Sequence, residues 1–320
     1  MSNGKITTAD EGQNATTSGT PWSDPAGRNR LRNFVLVTII LALCFSLPLY
    51  DLLRFAVSDN LYSYILLIPF ISLYLAWLKK SELSRHSEPA RKLAAFFLVG
   101  GLVVIGGYWL AVYFHARMAA VDFLTLTTLA FLLFFASGGC LFLGMKNMRV
   151  LAFPVGFLLF MIPLPAVLRH EIETCLQLGS AAVAEWFFML TNTLYFRNGL
   201  DFQLTDITLE VAPECSGIHS SVALFITSVL AGYLFLRRPW KRVTLALVVI
   251  PLALLRNGFR IFVIGELCVH IGPEMINSPV HRHGGPLFFI LSLIPFFLLL
   301  IYLKKSEQTN HARPSKKSGT

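Results

Sequence analysis

Eight stretches of the chain stay apolar for about the 20 residues that a helix needs to cross a bilayer. They run over 34–50, 61–78, 93–115, 121–144, 150–168, 217–236, 243–263 and 285–303. The first is short and meets Pro48, Pro163 and Pro165 break the end of the fifth, and Pro251 is expected to kink the seventh. Between the fifth and sixth runs the period changes. Leu168, Ile172, Leu176, Gly179, Val183, Phe187 and Leu190 recur at steps of three or four, with Arg169, Glu171, Glu173, Gln177 and Glu185 filling the other positions. That spacing predicts an amphipathic helix lying in the membrane interface rather than across it. Residues 199–211 then alternate. Leu200, Phe202 and Leu204 face Asp201, Gln203 and Thr205, and Ile207, Leu209 and Val211 face Thr208 and Glu210. This predicts a short β-hairpin turning near Thr205 and Asp206, which would cap the outer membrane surface.

The fold class expected is therefore an all-α polytopic membrane protein. It has about eight transmembrane helices, an extracytoplasmic amphipathic helix and a short β-hairpin. The composition agrees. Of 320 residues, 55% are hydrophobic and 14% charged, against about 25% charged in a soluble domain. Residues 1–33 are expected to be a cytoplasmic tail, disordered over 1–27 and basic at Arg28, Arg30 and Arg32. The membrane domain follows over 34–303, with an extracytoplasmic insert at 169–216. A basic cytoplasmic tail completes the chain over 304–320. No cleavable secretory signal is expected, because the first 33 residues are polar.

A net charge of +9 raises the question of nucleic acid. Placing the charges answers it. Twenty of the 27 basic residues fall in the two tails and in the alternate connections at 79–92, 146–149 and 237–242. This is the positive-inside pattern. It puts both termini in the cytoplasm and accounts for the basicity with the lipid bilayer as partner and no nucleic acid. The five cysteines, 44, 140, 175, 215 and 268, form no CxxC pair and no regular framework. Neither a disulfide scaffold nor a zinc ribbon is indicated.

Three segments carry candidate chemistry. Pro213-Glu214-Cys215-Ser216-Gly217-Ile218-His219 joins the hairpin to the sixth span. Cys215 would stand at the outer, N-terminal end of a helix, where unpaired N–H groups and the helix dipole favour a reactive thiolate. The same N–H groups suit an oxyanion. The plain alternative is a cysteine that fills a gap at the interface. Arg256-Asn257-Gly258-Phe259-Arg260 lies near the outer end of the seventh span. Arg256 and Arg260 share a face at i, i+4, and Asn257 stands three residues from Arg260. Charges within a span face a polar cavity or a partner, or else snorkel to headgroups. Pro279-Val280-His281-Arg282-His283-Gly284-Gly285 precedes the eighth span. It offers His281 and His283 as general bases, or as parts of a polar interfacial loop. A metal held by His270, His281, His283 and Cys268 lacks any recognised ligand spacing, so neither metal nor cofactor is expected. A thiolate, a base and a fixed cation are what acyl transfer through a thioester requires.

At these three segments the sequence resembles the exosortase/archaeosortase family. The likeness rests on Glu-Cys-Ser-Gly-Ile at 214–218, on Asn257-x-x-Arg260-Ile261, and on His281-x-x-x-Gly285-x-x-x-Phe289. Phe160-Met161-Ile162-Pro163-Leu164-Pro165 and the Pro69-containing run from Leu61 to Trp77 add to it. The resemblance covers roughly residues 35–303. It implies a cysteine transpeptidase or protease of the cytoplasmic (inner) membrane with an extracytoplasmic active site. Its substrates would be secreted proteins bearing a C-terminal motif, a transmembrane helix and a basic tail. By the same resemblance, Cys215 is the nucleophile, Arg260 the electrostatic partner and His281 the base. Glu214, Ser216, Gly217, Asn257 and His283 are supporting residues, and His219 and Arg256 contact substrate. Position 219 is His where the family often has Arg. The competing class is a non-enzymatic membrane transporter or exopolysaccharide-assembly scaffold, with the Arg and His side chains as a polar path. A metal-dependent membrane hydrolase is a third.

Overall fold

The computed structural model describes residues 25–84, 87–114, 118–205, 207–212, 216–277 and 285–311. Its helices are α1 (Pro25–Cys44), α2 (Ser46–Ser58), α3 (Ile68–Leu78), α4 (Arg91–Tyr113), α5 (Ala120–Phe142), α6 (Gly144–Val150) and α7 (Ala152–Phe157). They continue with α8 (Ala166–Thr191), α9 (Ile218–Phe235), α10 (Pro239–His270) and α11 (Gly285–His311). Strands β1 (Tyr195–Asn198), β2 (Asp201–Leu204) and β3 (Thr208–Glu210) form the single sheet among the described residues. Among the described residues, six helices are long and apolar enough to cross a membrane, and eight spans result if each of two broken pairs counts as one. Hydrocarbon cannot satisfy backbone N–H and C=O groups, so runs this apolar must be helical. Large apolar side chains point outward along them, Phe70 at 73% exposure and Leu43 at 68%, as lipid-facing positions do.

The breaks fall close to where proline is found. The first span breaks at Phe45 and α2 continues at 73° to α1. Pro48 sits in the first turn of α2, where no helical donor is needed. The fifth run is not one helix: a helical segment ends at Met161 and α8 begins at Ala166, with Pro163 and Pro165 between them. Pro251, by contrast, lies inside an unbroken α10. Both chain ends are more helical than expected. Arg28, Arg30 and Arg32 belong to α1, and Lys304 and Lys305 to α11. The tail expected to be disordered over 1–27 falls outside the described residues up to 24.

The chain divides into two compact units. The first comprises residues up to Asp51, Leu67–Ala116 and Leu126–Met161. Within it, buried Ser72 donates to the Pro154 carbonyl at 2.7 Å, and Ser137 to that of Ala94 at 2.8 Å. Asn147 bridges Ser84 N (2.7 Å) and Leu143 O (3.1 Å). The second unit comprises Leu52–Leu66, Arg117–Thr125 and everything from Ile162 onward. It holds all the candidate chemistry.

The second unit is organised by α10. At about 1.5 Å per residue, its 32 residues extend for about 48 Å, against roughly 30 Å of hydrocarbon. The N-terminal half packs in an apolar cluster with α9 and α11, through Leu245, Val249, Leu224, Phe296 and Leu300. The C-terminal half packs through Ile261, Ile264 and Cys268 against α8 and the sheet. Phe202, Leu204, Leu209 and Val211 form the sheet's buried face, which is the alternation expected over 199–211. The hairpin is one strand larger than expected. β1 pairs with β2 in the register Asn198↔Asp201, across a turn in which Gly199 takes φ 63°. The turn of the second pair, β2 to β3, lies at 205–207, with Asp206 outside the described residues.

Helix α8 forms as its period predicts, and the expected stripe meets α10 at Gly179 and Val183. The most deeply buried positions, Gln177, Ser180, Ala181, Ala184 and Phe188, lie one residue round from that stripe, and its end residues Leu168 and Leu190 are exposed. The reason is close approach to α10. A Cβ on Gly179 would stand 2.8 Å from Leu254, and one on Gly258 would stand 2.6 Å from Val183. Small residues win the inner face because the two backbones nearly touch; of the polar ones, Ser180 is hydrogen bonded across the helix pair and Gln177 to the segment after β3.

Candidate active site at the start of α9

The site is built on the turn of α10 that carries Arg256, Asn257 and Arg260. A span beginning at Trp240 leaves the hydrocarbon after about 20 residues, near Arg260. The helix itself continues to His270, held there by the sheet. The arginines therefore lie well short of the end of α10, not at it.

Gly217 caps α9 in the left-handed region at φ 71°. That φ favours glycine, and a Cβ there would stand 3.0 Å from Asn257 Oδ1 and 3.1 Å from Arg256 Nη2, close enough to push those side chains back by a few tenths of an ångström. The Gly217 carbonyl collects four donors. Ser221 N and Oγ donate at 3.0 and 2.8 Å, Ser220 Oγ at 3.1 Å, and Arg256 Nη2 at 3.2 Å. Arg256 Nη2 also reaches Ser221 Oγ at 3.3 Å. Arg256 is only 7% exposed, and its Nη1 has no hydrogen-bond partner among the described residues. Ser216 is buried, and its Oγ accepts from Ile218 N at 3.4 Å.

Asn257 is tied to the other side. Its Nδ2 donates to Ser180 Oγ on α8 at 3.0 Å. One turn earlier on α8, buried Gln177 donates to the Val211 carbonyl at 2.9 Å. Both flanks of Cys215 are therefore fixed, Val211 to α8 and Gly217 to α10. Cys215 itself and Glu214 lie outside the described residues, as do His281 and His283. The chain re-enters at Gly285 to begin α11, and Phe288 in its first turn meets Phe259 with ring centroids 6.2 Å apart. Segments before α9 and after the start of α11 thus converge on one turn of α10.

Among the predicted residues, Ser216, Gly217, Arg256 and Asn257 are brought together. Arg260 follows on the next turn, partly buried and engaged with its surroundings. His219 is exposed on the first turn of α9. Arg256 serves the fold of the α9 cap, beyond the substrate contact expected of it. Gln177, Ser180 and Ser221 were not anticipated. Gln177 had been placed on the polar face of α8, and the row of small and polar residues Gln177, Ser180, Ala181 and Ala184 was the available signal. Of the residues considered for a metal, Cys268 is packed into the sheet core. His270 pairs instead with Glu266 at 3.0 Å. Among the described residues no group of three His, Cys, Asp or Glu side chains is placed to hold a metal ion.

No curated protein and no solved structure matches the chain. A family model described as transmembrane exosortase matches residues 56–298, a range that takes in all three candidate segments. The helical spans and this match agree: the chain belongs to the transmembrane exosortase family.

Proposed function

We propose that this membrane exosortase is a cysteine transpeptidase or protease that removes C-terminal sorting tails from secreted proteins. Its site would lie on the extracytoplasmic side of the cytoplasmic (inner) membrane, with both termini in the cytoplasm. Cys215 is the nucleophile, His281 the base and Arg260 the electrostatic partner. The thiolate adds to a peptide carbonyl beside the substrate's transmembrane helix. The resulting oxyanion is stabilised by Arg260 and by N–H groups at the start of α9. Collapse breaks the C–N bond, and imidazolium donates its proton to the departing amine, leaving a thioester. An amine or water then attacks that thioester, His281 takes up the proton, and the Cys215 thiolate is released. The substrate's basic tail remains in the cytoplasm.

The observation that supports this reading is the anchoring of the residues on either side of the Cys215 segment, Val211 by buried Gln177 and Gly217 by buried Arg256. Buried polar groups are costly unless hydrogen bonded, and here both bonds secure the approaches to one cysteine. The test is Cys215→Ala in cells, with a co-expressed protein ending in a motif, an apolar helix and a basic cluster. Unprocessed substrate is expected to accumulate while the purified variant keeps the thermal stability of the parent. Normal processing by Cys215→Ala would remove the proposal.

A further inference from the structure

The opposite ends of the same helices hold a second feature. Where α9 turns into α10 beside α11, a cavity of about 580 Å³ opens. Arg237, Arg242 and Lys304 line it together with Tyr233, Phe235 and Glu307. The positive-inside pattern accounts for cations at this turn. It does not account for their gathering around a concavity.

The charges there are unbalanced. Glu307 is nearly buried, and its two carboxylate oxygens accept from the backbone N–H groups of Arg237 (2.9 Å) and Arg238 (3.0 Å). It is committed to closing the turn. Lys241, buried behind it, donates to the Leu303 carbonyl at 2.8 Å. Among the described residues, Arg237, Arg242 and Lys304 form no ion pair. Arg242 lies over the Tyr233 ring and Lys304 over the Phe235 ring, each at 5.3 Å from the centroid. Leu234, Phe235 and Trp240 are exposed beside them.

The level in the membrane is set by the helices. The apolar run of α9 ends at Phe235, α10 starts at Pro239, and α11 turns from apolar to charged at Lys304. All three transitions meet at the cavity, which is the depth of a headgroup layer.

We propose that this cavity binds the phosphate of an anionic phospholipid headgroup, with the acyl chains lying along the exposed apolar edge of α9 and α10. Three cations without a carboxylate partner among the described residues match the phosphate, Arg242 through the nitrogens other than the Nε that donates to the Leu236 carbonyl at 2.9 Å, and the neighbouring rings and leucine match the upper acyl chain. A zwitterionic lipid brings its own ammonium group into the same basic space and is disfavoured. This inference is independent of the chemistry assigned to Cys215.

The test uses the full-length protein in detergent micelles, titrated with single lipids and read by native mass spectrometry. Phosphatidylglycerol is expected to remain bound at concentrations on the order of tenfold lower than phosphatidylcholine. Arg237→Gln combined with Lys304→Gln is expected to abolish that preference. Lys304→Gln alone, at an exposed position, is expected to reduce it, and serves if the double variant is not recovered. Inorganic phosphate at millimolar concentration is expected to leave the lipid in place. Equal retention of the two lipids by the parent protein, or a preference unchanged by the substitutions, would overturn the proposal. Displacement of the lipid by inorganic phosphate would reassign the site to a soluble anion.

Discussion

Gly258→Ala probes the contact on which the site is built. The added Cβ would stand 2.6 Å from Val183 Cβ and Cγ1 and 2.9 Å from the Ser180 carbonyl oxygen. Ordinary contact begins near 3.4 Å. Turning Val183 moves its Cγ1 away, but its Cβ and the Ser180 carbonyl move only with the backbone of α8, so α8 and α10 must separate by up to about 0.8 Å, the gap between 2.6 and 3.4 Å. Overpacking of this kind costs about 1–3 kcal/mol. Replacing glycine by alanine inside a helix returns roughly 0.5–1 kcal/mol, so a net loss of about 1–2 kcal/mol is expected. The control is Gly107→Ala in α4, where a Cβ meets nothing within 4 Å and only the propensity gain remains. Equilibrium unfolding of both variants in the same micelles measures the difference, expected at about 1–3 kcal/mol. Because the 3.0 Å bond from Asn257 to Ser180 lies on the same contact, Gly258→Ala should also slow substrate processing, whereas Gly107→Ala should not. If Gly258→Ala proved as stable as Gly107→Ala, the close packing of α8 on α10 would be refuted.

Two further substitutions separate scaffold from chemistry. Arg256→Met keeps the apolar stem but loses the guanidinium, whose two bonds are long at 3.2 and 3.3 Å and whose Nη1 has no partner among the described residues. Such a group barely repays its burial, so stability should stay within about 1 kcal/mol while processing falls on the order of tenfold or more. A fully active Arg256→Met enzyme would contradict a positioning role. Gln177→Leu leaves the buried Val211 carbonyl without this donor and should cost about 1–3 kcal/mol. Processing should fall with it, measured on the same tail-bearing substrate at a temperature where the variant remains folded.

What was legible from residue order alone followed from the solvent. Hydrocarbon allows no unpaired backbone, so runs of span length had to be helices, and the alternating 199–211 segment had to place one face inward. The second span and the helices at 93–115, 121–144 and 217–236 were legible for that reason, as was the buried row Phe202, Leu204, Leu209 and Val211. Strand β1 was missed because four residues, Tyr195-Phe196-Arg197-Asn198, carry too little period. The Asn198-Gly199 pair was the better signal for a hairpin turn. The continuous passage of α10 through Pro251 and out to His270 was hidden too, since no local pattern says that a sheet will cover a helix beyond the bilayer.

The candidate site divides along the same line. The residue pattern pointed to Arg256, Asn257 and Arg260 as polar groups within a span, with a polar cavity or headgroups as their destination, and the family resemblance added Ser216 and Gly217. The residue pattern also marked the cations at 237–242 and at 304. Only the tertiary structure decided that Arg256 grips the Gly217 carbonyl, that Gln177 and Ser180 turn inward, and that Arg237, Arg242 and Lys304 surround one cavity. Those facts depend on which helices touch, and contact between helices in a membrane is chosen by small-residue fit and mutual hydrogen bonding. Neither quantity has a period along the chain.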